Sequence, residues 1–274
     1  MKKLILLALC AFALSSCIND NDWYLENLNG KIYIILEKYY EPEDSFGVVN
    51  KGDLWGQTRY TYNEDGNLIK KEDLNLKSEV TGKTEYEFDS DGKKSRENKY
   101  NSDGDLITST KFNYDDKGNN TSRTVFDKSG NIVMNYYCSF DTKGNQIEEK
   151  RKGFNNMTLS WTKFNYDNKG NMIAMMVCDT MGNVLDKTEY VYDISNRKIE
   201  ERMFDEDGIQ VSFTTYGYDK QDNLNETLIF DFDGDKLLQE NRTYTYDKKN
   251  NWIVCITYRN INPTDYTERT IEYF

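Results

Sequence analysis

Glycine returns on a fixed count. Gly66, Gly92, Gly118, Gly144 and Gly170 stand 26 residues apart, and Asn196 and Asp222 continue the series. A second series lies between them, through Gly52, Ser78, Gly104, Gly130, Asn156, Gly182, Gly208 and Gly234. Where glycine is replaced, the substitute is mostly Asn or Asp, which tolerate a left-handed backbone best after glycine. A period of this length must be read first, because it sets the architecture.

The residues before each glycine define a turn. Asp115-Asp116-Lys117-Gly118 reads as a type I turn whose fourth residue has positive φ. That turn closes a β-hairpin with a glycine bulge. Asp89, Asp115, Asp141, Asp167, Asp193 and Asp219 hold its first position, where a short acceptor can bond the turn amides, and Asn63 replaces them once.

Strand-length segments lie between the turns. Tyr60/Tyr62, Tyr86/Phe88, Phe112/Tyr114, Phe164/Tyr166, Tyr190/Tyr192 and Tyr216/Tyr218 each put two aromatics on one face. Helices are excluded, since Gly, Asn and β-branched residues recur every dozen positions. The fold class is therefore all-β: a long antiparallel meander of repeated hairpins. Flat sheets of so many strands are unusual, so a twisted or coiled single sheet is expected.

Tyr62-Asn63-Glu64-Asp65-Gly66-Asn67-Leu68 and Tyr166-Asp167-Asn168-Lys169-Gly170-Asn171-Met172 resemble the YD repeat of Rhs-type proteins. The resemblance covers roughly residues 50–260. Large members of that family wind such repeats into a shell around a toxin. With fewer repeats, a closed shell is not expected here. A C-terminal toxin and the family's proline-bearing cleavage motif are not expected either; Pro42 and Pro263 are the two prolines of the chain. The resemblance implies the scaffold and leaves the toxin role behind.

The ends differ from the repeat. Residues 1–16 read as a lipoprotein signal peptide, with Lys2 and Lys3 before an apolar run too short to span a bilayer. Leu14-Ser15-Ser16-Cys17 resembles a lipobox, which implies lipidation of Cys17 with diacylglycerol and a palmitate-type acyl chain. Several acyl chains anchor stably where one does not. Residues 17–30 read as a tether, with Asn19-Asp20-Asn21-Asp22 as a solvated spacer or an acidic surface-export signal. Residues 31–274 read as the repeat domain. Within it, Lys31 to Leu36 reads as a capping strand, Glu41-Pro42-Glu43-Asp44 as a turn or loop, and Asn262-Pro263-Thr264-Asp265 as a final turn.

Charge and composition narrow the function. Cleavage before Cys17 removes Lys2 and Lys3 and no acid, moving the formal charge from −12 to −14. That argues against nucleic acid as a partner. Hydrophobic content of 37% against 14% aromatic suits a thin sheet held by cross-strand aromatic pairs. Cys138, Cys178 and Cys255 remain after lipidation, an odd number that excludes a full disulfide framework. Cys138 and Cys178 occupy aromatic columns and read as small buried apolar residues.

The chain has no histidine. That removes Ser-His-Asp and Cys-His catalysis, His-ligated zinc and the commonest general base. Carboxylates could serve a glycosidase, but the patterned ones sit in repeated turns. No enzyme, catalytic residue, cofactor or metal site is expected. Asp231-Phe232-Asp233-Gly234-Asp235 resembles the start of a calcium loop, yet Arg242 occupies the position an EF-hand gives to Glu. It reads as a repeat turn. Trp161, Trp55 and Trp252 are the candidate binding residues, and Trp161 adjoins the most altered turn, Gly153-Phe154-Asn155-Asn156.

The expected protein is an outer-membrane lipoprotein, facing the cell surface or the periplasm. It is held to the membrane through Cys17 and binds a protein or glycan. An immunity or antitoxin-like partner of a toxin is the alternative, and a carboxylate-dependent glycan hydrolase a third reading.

Overall fold

The computed structural model describes residues 21–274. The lipobox and Cys17 lie outside the described residues. A four-residue helix, α1 (Asp22–Leu25), precedes eighteen antiparallel strands in one sheet. The first two, β1 (Ile32–Ser45) and β2 (Val48–Tyr62), are long. From β3 (Leu68–Leu74) the strands are mostly seven to nine residues, until β16 (Lys236–Tyr246), β17 (Trp252–Arg259) and β18 (Asn262–Tyr273).

Each strand pairs with its neighbours in sequence, as the repeat requires. The expected open sheet is not what forms. β1 pairs with β2 on one side and with β18 on the other, Ile35 opposite Tyr60 and Ile271. The sheet therefore closes into a β-barrel. Twist carried through eighteen strands brings the first strand onto the last, and closure removes both edges. Of the predicted capping strand Lys31 to Leu36, Ile32 to Leu36 belongs to that closing strand and does more than cap a hairpin.

Two sequence expectations about proline are also overturned. Glu41-Pro42-Glu43-Asp44 is strand, inside a β1–β2 hairpin that turns at Phe46-Gly47. Asn262 to Asp265 belongs to β18, and the turn lies at Asn260-Ile261. Pro42 and Pro263 each sit beside a register shift, where a missing N–H is tolerated.

From Asn63 to Asn251 the turns form as read, but Gly52 does not belong to one: it lies inside β2 without a left-handed φ, and the β1–β2 hairpin has already turned at Phe46-Gly47. Gly118 has φ +88°, and Asn156, Asn196 and Asp222 hold the same region at +61° to +62°. Gly118 N–H donates to Asp115 O at 2.9 Å, and Asp115 N–H to Asn119 O at 3.0 Å. Asp115 Oδ1 accepts from the amides of Lys117 and Asn119, and Oδ2 accepts from Asn119 Nδ2. The Asp231 turn uses the same Oδ1 pattern. Tyrosine adds a second tie. Tyr114 Oη donates to Lys94 O, Tyr166 to Gln146 O, Tyr192 to Met172 O and Tyr218 to Lys198 O, at 2.7–2.8 Å. Each links a hairpin end to its neighbour where the ladder has run out.

Register fixes which side chains share a face. Ile35, Tyr60, Lys71 and Thr84 form one row, and Glu37, Thr58 and Asp73 the next. The paired aromatics of the repeat fall on this face. Burial pushes Tyr39, Tyr86 and Tyr166 up to about 12, and Tyr60, Tyr190, Tyr216 and Tyr244 higher still. A closed sheet has one enclosed face, so this is the lumen. The opposite face carries Lys83, Glu85, Arg96, Lys150, Lys163 and Glu189. A membrane-spanning wall would place those lysines and arginines against lipid, at ~2–4 kcal/mol each near the midplane. No described helix is long and apolar enough to cross a membrane.

The two ends of the barrel differ. Both ends of the described chain lie at the turns after β2, β14 (Gln210–Tyr218) and β16. There α1 and residues 26–30 run along the rim. Trp23 N–H donates to Gly66 O, Asn27 Nδ2 to Gln221 O, and Asn251 bonds both the amide and the carbonyl of Asn29. Trp23, Leu28, Ile32, Ile35 and Tyr62 make the one apolar core cluster of the described residues beneath that segment.

Candidate functional site

The seam departs from the repeat most in its lumen-facing chemistry. A repeated unit puts aromatic, Thr or return-strand charge inward, but β1 and β18 are not repeat strands. β1 alternates Ile35, Glu37 and Tyr39 onto the lumen, and β18 answers with Ile271, Arg269 and Thr267. Glu37 and Arg269 are thus directly opposed.

Arg269 Nη2 lies 2.7 Å from Glu37 Oε1, and both side chains are about nine-tenths buried, at 10% and 9% exposed. Arg269 Nε donates to the same oxygen at 2.8 Å. Glu37 Oε2 accepts from Tyr39 Oη at 2.6 Å and from Tyr60 Oη at 3.4 Å. The guanidinium carbon stands 3.3 Å from the centre of the Trp252 ring. Tyr39 stacks on Trp55, with centroids 5.2 Å apart. A continuous chain therefore runs along the lumen wall: Trp252, Arg269, Glu37, Tyr39, Trp55.

Glu26 overhangs this chain at the rim. Its side chain meets solvent, yet protein surrounds it on most sides. That enclosure raises its carboxyl above the ordinary range; Arg269 opposes the shift, and Glu37 and Asp22 add to it.

Of the three tryptophans singled out in the sequence, two join here. Trp55 stacks on Tyr39 with one ring face and is 53% exposed. Trp252 lies beneath Arg269. Trp161 does not join them. It sits on the outer wall opposite Cys178, with Lys150 and Lys163 Nζ 4.0 and 4.2 Å from its ring. It also covers Gly182, where an added Cβ would come within 2.8 Å of the indole. Glu37, Arg269 and Tyr39 were missed in the sequence. The available signal was an acid at an inward position of an apolar strand, Ile34-Ile35-Leu36-Glu37.

Among the described residues the cysteines, Cys138, Cys178 and Cys255, are free thiols. Cys178 is buried under Trp161. Cys138 faces the lumen only half-buried, its thiol pushed up to about 12 by burial and by Glu149. Among the described residues, no cluster of three or more His, Cys, Asp or Glu could hold a metal.

No family model and no curated protein matches the sequence. A porin-like protein from Bacteroides uniformis is similar in structure, with a TM-score of 0.44 at 16% identity over 89% of this chain and 98% of that one. A porin-like protein from Bacteroides vulgatus gives 0.37 at 12% identity over 86% and 97%. The Photorhabdus luminescens Tc holotoxin pore gives 0.36 at 16% identity over 78% of this chain, which spans 12% of that toxin chain.

Proposed function

We propose that this chain is a lipid-anchored scaffold of the bacterial cell envelope that binds a glycan inside its barrel. The chain from Trp252 to Trp55 carries the reading. It combines a half-exposed indole, phenol hydroxyls and a fixed Arg–Glu pair in an enclosed but solvent-reached lumen. Aromatic faces stack on sugar rings, and carboxylate and guanidinium groups bond their hydroxyls. The lumenal tyrosines extend the same surface around the wall.

Binding is favoured over hydrolysis by the state of the acids. Glu37 is occupied by Arg269, Tyr39 and Tyr60, so it is poorly placed to attack or to accept a proton. The anchor rests on the lipobox at Leu14 to Cys17. Asn21 is pinned to the rim, its Nδ2 donating to Asp65 O at 2.7 Å. Four residues reach ~14 Å, so a lipid on Cys17 holds that rim close to the membrane.

The test is calorimetric titration of the mature chain against a panel of neutral and acidic oligosaccharides. At least one should bind, and Trp55→Ala should weaken it about tenfold with an unchanged melting temperature. No binding across the panel, or equal binding by Trp55→Ala, sinks the lumen reading. Cleavage of a panel member would replace it with a hydrolase. The anchor is tested separately, by palmitate labelling that Cys17→Ser must abolish.

A further inference from the structure

The rim opposite α1 is apolar in a way the other is not. Its turn tips present Phe46, Leu76, Phe154, Met181, Phe232 and Ile261, at exposures from 59% to full. At the α1 rim only Ile194 among the large apolar turn residues is comparably exposed, and Lys117, Lys143, Lys169, Lys220, Lys248 and Lys249 hold the tips instead.

A second row lies just below the far lip. Ile107, Val133, Leu159, Leu185, Val211 and Leu237 recur at 26-residue steps, each 41% exposed or more. Each lies three residues past its turn's left-handed residue, on the outer face by register. The row runs from β6 (Leu106–Tyr114) to β16, ten strand spacings of ~4.8 Å, so the stripe is ~48 Å long. Exposed apolar surface that is contiguous on this scale marks an interaction site. The β1–β2 hairpin extends beyond it, with Phe46 at its tip.

We propose that this lip docks a partner protein whose contact face is apolar and rimmed with lysine or arginine. Charge selects that occupant. Asp103, Asp105, Glu206, Asp207, Asp233 and Asp235 stand among the apolar tips, and Glu41, Glu43 and Asp44 line the projecting hairpin. A second copy would set these acids against themselves, and anionic lipid would be repelled by them. A basic, apolar protein surface satisfies both features. The orientation agrees with this and rests on the lipid anchor proposed above: the lip is the end farthest from Cys17, turned away from the membrane. The charge argument needs no anchor.

The probe is a synthetic amphipathic helix of Leu and Lys, with a Leu and Glu helix of equal length as its counterpart. The mature chain should bind the Lys helix and not the Glu helix. Phe154→Ser/Met181→Ser/Phe232→Ser leaves net charge unchanged and should weaken binding at least about tenfold. Glu206→Lys/Asp233→Lys should do the same, while Lys143→Ser/Lys169→Ser at the other rim should not. Far-ultraviolet circular dichroism melts establish that each variant is folded. The proposal is overturned if the triple variant binds as tightly as the parent, or if the Glu helix binds equally. It is also overturned by a dimer in sedimentation, or vesicle binding, that the triple variant abolishes. Glycan binding is read independently, so either proposal can fail alone.

Discussion

At the scale of single residues, Glu37 is where the seam is most sensitive. Three side chains, Arg269, Tyr39 and Tyr60, converge on its two oxygens, and Arg269 is buried with it. Glu37→Ala leaves a guanidinium enclosed without its counter-charge, a change that costs ~3–5 kcal/mol when the pair is buried. Urea unfolding should show a loss near the lower figure, because Arg269 keeps the Trp252 face. Adding Arg269→Met should recover part of it. A Glu37→Ala loss under about 1 kcal/mol would mean the pair is solvated like a surface bridge.

Glu26 makes the opposite kind of prediction. Its folded-state pKa is raised, by enclosure first, so the folded chain holds that proton more tightly than the unfolded chain. Its contribution is fully present below the unfolded value of ~4.3 and is lost as pH rises through the folded value. Glu26→Gln should therefore raise the melting temperature at pH 7 by ~1–2 °C, solvent screening keeping the effect small. The gain should vanish by pH 4. A gain equal at both pH values would point to packing instead of charge.

At the scale of the element, the hairpin turn was almost fully legible. Glycine, Asn or Asp at a left-handed position and Asp or Asn three residues earlier are local rules, and nearly every repeat states them again. Asp115, Asp127, Asp141, Asp167 and Asp179 are held below the usual carboxylate range, first by the Asn side chain that closes the turn. Depressed acids stabilise above their unfolded pKa of ~3.9 and lose that contribution as pH falls through the folded value. Neighbouring turns are not equivalent, however. Gly66 (φ +86°) lies under α1, where an added Cβ would stand 2.6 Å from the Trp23 ring and closer still to Asn21. Gly92 (φ +76°) faces open space. Gly92→Ala should cost ~1–2 kcal/mol for the left-handed backbone alone. Gly66→Ala should cost ~1–3 kcal/mol more, because the helix must move. Equal losses would mean α1 does not rest on that turn. The sequence did not show this, since the contact joins residue 66 to a segment that follows no repeat. Proline misled for a related reason. Pro42 and Pro263 are turn residues by local rule, but each stands in a strand beside a bulge, and bulges depend on the partner strand.

At the scale of the whole molecule, closure was the feature the sequence withheld. Pairing rules between adjacent hairpins are local, while joining β1 to β18 requires the accumulated twist of every strand between them. No single repeat encodes that sum, and the lumen with its Glu37–Arg269 pair exists only once it is reached. Bringing the ends together carries the largest loop-closure cost in the molecule, so the seam should be the last ladder to form. A cross-link tests closure directly. Lys38 and Glu268 are paired across the seam on the outer face. Antiparallel partners have Cα atoms ~4.5 or ~5.5 Å apart, and both spacings suit a disulfide. In a background with Cys138, Cys178 and Cys255 replaced by Ser, Lys38→Cys/Glu268→Cys should oxidise within one chain, read as a linked peptide pair by mass spectrometry. An open coiled sheet would hold those residues far apart and leave both thiols free to alkylate. Hydrogen exchange on the parent adds the kinetic half: amides between β1 and β18 should exchange before those between β1 and β2. If the two ladders exchange together, the seam is no weaker than a hairpin, and closure is built in earlier than loop entropy alone allows.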